Sequence, residues 1–134
     1  MNHMLLERRN LKDTPVYRTQ LVELRERLEG FTRLPEGWAG DDTIPPSPQT
    51  VAYVNRLLSA LPDGIMLPYA TASEEGEIGL TWFNGDNRFD AIAAPDGYLT
   101  WAMKIDGTFV GGKSLPLSSD TFDSFNDSLG SFYV

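Results

Sequence analysis

The stretch EIGLTWFNGDNRFDAIAAPDGYLTWAMKI, Glu77 to Ile105, decides the fold. Its apolar residues recur at every second position: Ile78, Leu80 and Trp82, then Phe89, Ala91 and Ala93, then Leu99, Trp101, Met103 and Ile105. A period of two puts each set on one face of a strand. Asn84-Gly85-Asp86-Asn87 and Pro95-Asp96-Gly97 separate the sets with residues that suit tight turns. The spacing predicts strands over 77–83, 88–94 and 98–105, joined as an antiparallel meander. Asp106-Gly107 predicts one more turn, with Thr108–Val110 starting a short fourth strand. Ile65–Tyr69 is a further candidate strand at the sheet edge.

Outside this stretch the period is helical. Thr14-Pro15 and Ser47-Pro48 each place a capping hydroxyl before a proline at the first helical position. Tyr17, Leu21, Leu24 and Leu28 form one apolar stripe, predicting a helix over 15–29 closed by Gly30. Val51, Val54, Leu58 and Leu61 predict a second helix over 48–61, stopped by Pro62-Asp63-Gly64. Ser118 or Ser119 caps a short third helix carrying Phe122, Phe125 and Leu129 and ended by Gly130. Helices and strands that cluster rather than alternate indicate an α+β fold. The expectation is one domain over 1–134: a three- to four-stranded antiparallel meander, two N-terminal helices packed on one face, and a short C-terminal helix. Residues 1–13 are expected to be loose.

Composition narrows the chemistry. The 134 residues carry a net charge of -8 and no cysteine, which excludes disulfides and thiolate metal sites. Residues 1–33 hold seven Lys/Arg against five Asp/Glu, net +2, so the remainder carries -10. Direct nucleic-acid binding is not expected of that acidic remainder, because phosphate contacts need Lys and Arg. No apolar run approaches the length of a membrane span, and a cytoplasmic location is expected. The single histidine is His3, in Met1-Asn2-His3-Met4, which reads as a cloning scar before a natural start at Met4. On that reading, histidine-based triads, metal sites and pH switches all fall away.

Several motifs invite a catalytic or binding role. GTFVGGKS, Gly107 to Ser114, fits the phosphate-loop pattern G-x-x-x-x-G-K-[ST]. A phosphate loop needs a helix opening at Gly112-Lys113, and Pro116 opposes one. The stretch is therefore read as a hairpin with a glycine bulge and a charged edge. Glu74, Glu75 and Glu77, with Asp86 and Asp90, lack calcium-loop spacing and are read as turn and surface residues. Asp41-Asp42 lacks a neighbouring nucleophile or histidine for acid–base work. No catalytic, cofactor-binding or metal-ligating residue is assigned. Trp38, in Gly37-Trp38-Ala39-Gly40, is read as an anchor of the helix connector in the core, with a partner-facing position as the alternative.

The strand face opposite the core set carries Gly79, Thr81, Phe83, Asp90, Ile92, Tyr98, Thr100, Ala102 and Lys104. It reads either as a solvated sheet face or as a protein-binding face, since exposed Tyr and Phe are favoured at interfaces. On the second reading Phe83, Ile92 and Tyr98 form an apolar centre and Asp90 supplies charge.

Leu34-Pro35-Glu36-Gly37-Trp38-Ala39-Gly40, a proline-initiated helix, Gly76-Glu77-Ile78-Gly79-Leu80-Thr81-Trp82 and Pro95-Asp96-Gly97 occur in that order. This combination, over residues 21 to about 105, resembles a group of small, poorly characterised bacterial proteins. Some of these resemble components of toxin–antitoxin or phage-defence loci. Gly79 stands where that pattern has a larger residue. The resemblance implies no catalytic residues. The expectation is a non-catalytic, acidic protein-binding factor, an inhibitor such as an antitoxin or anti-defence protein, whose acidic charge suits a partner with a basic surface or simply keeps the protein soluble. The alternatives are a self-associating module working as a homodimer, and a small-molecule binder or Asp/Glu-based hydrolase.

Overall fold

The computed structural model describes residues 11–116 and 118–133. The proposed scar and His3 lie outside the described residues. Leu11–Asp13, at the end of the stretch expected to be loose, form a short 3-10 turn. Thr14 Oγ1 donates to the Leu11 carbonyl at 2.7 Å, and Asp13 pairs with Arg18 at 3.7 Å.

Helix α1, Pro15–Phe31, starts as its sequence dictates, with Thr14 accepting from the Tyr17 amide. It does not stop at Gly30. One more residue brings Phe31 into the core, in line with Leu24 and Leu28. Burying a phenyl group outweighs the cost, about 1 kcal/mol, of a glycine inside a helix. Helix α2, Pro48–Ser59, is capped by Ser47 and buries Val51, Val54, Leu57 and Leu58. Helix α3, Ser119–Phe132, is capped by Ser118 and is longer than expected. It runs through Gly130 because Phe132 is buried against Phe89, their ring centroids 5.7 Å apart.

The sheet has five antiparallel strands rather than three or four, in the order β1-β2-β3-β4-β5. They are β1 (Tyr69–Ala72), β2 (Ile78–Asn84), β3 (Asn87–Ala93), β4 (Tyr98–Ile105) and β5 (Thr108–Pro116). The edge strand therefore begins where the sequence placed its end. Strand β5 begins at Thr108 as expected and runs nine residues, longer than the short strand read from the sequence. The Asp106-Gly107 turn has positive φ at both residues, 50° and 81°, the mirror-image turn that matches strand twist.

The alternating residues behave as their period requires. Ile78, Leu80, Trp82, Phe89, Ala91, Ala93, Leu99 and Trp101 are all buried. The three helices cover this one face. Phe125 of α3 sits at the centre, with its ring 5.7 Å from Trp82, 5.4 Å from Phe89 and 5.4 Å from Trp101. Such offset and edge contacts add to plain area burial.

Trp38 is not a core anchor. It is half-buried, and its indole N–H donates to the Ile44 carbonyl at 3.1 Å, within its own loop. The connector is held instead by buried Thr43. Thr43 Oγ1 donates to the Gly40 carbonyl at 2.6 Å and accepts from the Ala39 amide, while its carbonyl accepts from the Gly37 amide. Nearby, Asp42 takes a positive φ of 66°, which a short polar side chain tolerates.

Candidate functional site

The phosphate-loop motif is resolved by register. Trp101 faces Lys113 and Met103 faces Val110, so Gly111-Gly112 together oppose Ala102. Gly111 has φ 63°, which makes this a glycine bulge. Lys113 lies mid-strand and exposed, and the next helix begins only at Ser119. No helix N-terminus lies behind the motif to receive a phosphate. The Glu74–Glu77 loop is likewise turn chemistry. Ser73 Oγ accepts from the amides of Glu75 and Glu77 and donates to Glu77 Oε1.

Phe83, Asp90, Ile92 and Tyr98 share the outer face, but the register spreads them along it. Phe83 lies opposite Arg88, Asp90 opposite Ala102, and Ile92 opposite Thr100, while Tyr98 pairs beyond the end of β3. Three two-residue steps separate the Phe83 level from the Tyr98 level, about 20 Å. Ile92 and Tyr98 are diagonal neighbours. Phe83 instead meets Tyr69 of β1, with ring centroids 5.9 Å apart and the planes at 69°.

The Asp90 carboxylate is engaged within the face. Thr81 Oγ1 donates to one oxygen and Arg88 Nε to the other, both at 2.7 Å. Its charge is balanced by Arg88, which also faces the cationic Lys104 across the strands. Asp90 therefore organises the face more than it projects charge from it.

The Tyr69–Phe83 pair stands at the mouth of a groove of about 580 Å³, which no periodicity in the sequence signals. The groove exists because β1 is short. Tyr69 pairs with Thr81, so Trp82, Phe83 and Asn84 extend past the end of β1. The segment before β1 drops beneath this overhang, where the Trp82 indole donates to the Met66 carbonyl at 2.8 Å. Helix α1 forms the other wall. Tyr133 also lines the groove beside Phe83, its hydroxyl donating to the Phe83 carbonyl at 2.8 Å. Burial raises the Tyr133 phenol above its ordinary value, so it stays a donor at neutral pH.

The two rim rings are unusually open to solvent, Tyr69 at 71% and Phe83 at 50% exposure. Met66 adjoins them and is also exposed. On the helical wall Gln20, Glu23 and Arg27 recur at spacings of three and four and present an amide, a carboxylate and a guanidinium. Among the groove's lining residues Glu23 is the one carboxylate. The groove offers apolar surface on one side and a row of polar groups along the other.

Among the described residues no helix is long and apolar enough to cross a membrane. Comparison with known proteins returns no match to a family model, a curated protein or a solved structure.

Proposed function

We propose that this chain is a non-catalytic protein-binding factor, an acidic inhibitor of the antitoxin or anti-defence kind, acting in the cytoplasm on another protein. The observation that carries the reading is the Tyr69–Phe83 pair, two large aromatic rings held edge to face and left exposed beside a groove. Solvent-exposed aromatic clusters with a polar rim are the usual centres of protein interfaces. Ile92, 39% exposed, and Tyr98, 43% exposed, extend the same face and give a partner a second apolar foothold. The net charge of -8 favours a partner whose wider surface is basic. The rival hydrolase reading needs a pair of carboxylates in a pocket, and the groove offers Glu23 alone.

The test is co-purification of the tagged full chain from its native host, then titration of the retained protein against purified wild type, Phe83→Ala and Tyr98→Ala. The proposal expects a direct binary complex, weakened roughly tenfold or more by Phe83→Ala, with melting curves unchanged. A partner that binds both variants like wild type removes the outer face from the reading. Failure of any purified protein to form a binary complex ends it.

Self-association has one observation in its favour. Strand β5 is a nine-residue edge whose residues are almost all exposed. Its bulge at Gly111 and the charge of Lys113 are devices that discourage edge-to-edge pairing. Sedimentation of wild type and Lys113→Val decides it: a wild-type dimer favours self-association, and a dimer in the variant alone shows the edge to be guarded.

A further inference from the structure

Arg27 is the best-positioned cation facing the groove. Its Nε donates to the Ala70 carbonyl at 2.8 Å, and its guanidinium carbon sits 5.3 Å from the centre of the Phe31 ring. These two contacts fix the plane of the guanidinium. The ion pairs among the described residues are Arg18–Asp13 and Arg88–Asp90, and neither involves Arg27. Glu23 lies four residues earlier on the same helix and is not within ion-pair distance. The terminal nitrogens of Arg27 are thus an oriented fork with no carboxylate. Such a fork fits a carboxylate through two parallel hydrogen bonds.

The hydrogen bond to Ala70 also shows where the backbone of β1 points. Ala70 pairs with Leu80 on one side, while its carbonyl is turned away from β2 toward α1. The groove therefore runs beside a strand edge. Gln20 to Arg27 spans seven residues of helix, about 10 Å. An extended chain covers that length in about three residues. The opposite side offers Met66, Leu67, Tyr69 and Phe83 to apolar side chains.

We propose that this groove receives a short extended segment of the partner protein, carrying a carboxylate side chain for Arg27 next to an apolar side chain for the Met66–Phe83 side. This rests on the protein-binding reading and supplies the partner chemistry that it lacks. A peptide fits better than a compact small molecule. Both rim rings stand out of the surface instead of closing over the groove, and the polar stripe matches a chain lying along it. The match is one of charge: a locally acidic segment docks on Arg27, even where the partner's wider surface is basic.

The experiment is selection of a random displayed-peptide library on immobilised full chain, followed by fluorescence titration of the enriched peptides. Enriched sequences should share an Asp or Glu within about two residues of a large apolar residue, the reach of one extended step to either side. Changing that acid to Asn or Gln should weaken binding roughly tenfold or more, the effect of losing a charge-assisted pair. Arg27→Glu should weaken the acidic peptides as much and should favour their Lys-substituted counterparts. Tyr69→Ala should weaken both kinds. Melting curves for each variant separate lost binding from lost fold, and amide shift mapping should place the bound peptide at Ala70, Thr71 and Phe83.

No enrichment, enrichment without an acid, or equal binding to wild type and Arg27→Glu would overturn the proposal. So would a chain that self-associates in a manner abolished by Arg27→Glu, since a second copy would then be the occupant. Failure here is separable from failure of the broader reading. A native partner that binds Arg27→Glu normally but loses affinity for Tyr98→Ala leaves protein binding intact and removes the groove.

Discussion

Gly79 of β2 lies directly opposite Thr71 of β1, and a Cβ on Gly79 would stand 2.9 Å from Thr71 Oγ1. The glycine needs no unusual backbone conformation. Its value is space for its neighbour at the strand edge. Gly79→Ala alone should therefore be neutral or destabilising by up to about 2 kcal/mol, overpacking offsetting the gain from stiffening the strand. In a Thr71→Ala background the same change should stabilise by about 0.5–1 kcal/mol. Urea denaturation of the four proteins of this cycle gives the coupling. Additive effects would show that Thr71 is not the obstacle.

The glycines at the bulge should behave differently from each other. Gly111 has a positive φ, with nothing within 4 Å of an added Cβ, so strain is the whole penalty. Gly111→Ala should cost about 1–2 kcal/mol. Gly112 has open space and no positive φ, and Gly112→Ala should be close to neutral. Lys113→Ala should leave folding intact, and calorimetry should find no magnesium-dependent ATP binding in wild type. Micromolar ATP binding lost in Lys113→Ala would restore the phosphate loop.

Trp38→Ala should cost about 1–2 kcal/mol: partial burial and one hydrogen bond to the Ile44 carbonyl, well below the loss of a core tryptophan. Thermal melting measures it. A loss of about 4 kcal/mol would return Trp38 to the core.

The alkaline limb of stability should depend on Tyr17. Burial raises its phenol above the ordinary 10.0, Asp63 adds to the rise and Arg25 opposes it. The folded state therefore favours the neutral form. That contribution is fully present below the unfolded value and is lost as pH climbs through the folded one. Stability should fall above pH 10.0, and Tyr17→Phe should flatten the fall. Tyr133, raised by burial as well, should leave a residual slope that Tyr133→Phe removes. Denaturant midpoints measured from neutral pH to about pH 11 test this, and an unchanged slope in both variants would refute it.

Local pattern determined much of this protein. A period of two laid out β2, β3 and β4, and β4 fell on its expected bounds, because alternation is enforced by the pleat within each strand. Thr14 and Ser47 started their helices because a cap acts within one turn. The helix ends were not local decisions. Phe31 and Phe132 drew α1 and α3 past their glycines by finding distant partners. The length of β5 came from pairing with β4, since its own residues bury almost nothing. Trp38 carries no sign in the sequence that its partner is Ile44, six residues away, rather than the core. The groove was the least legible feature. It joins the polar shoulder of α1, the segment before β1, the overhang of β2 and the end of α3, and only tertiary packing brings Arg27 to Ala70 or Tyr133 to Phe83.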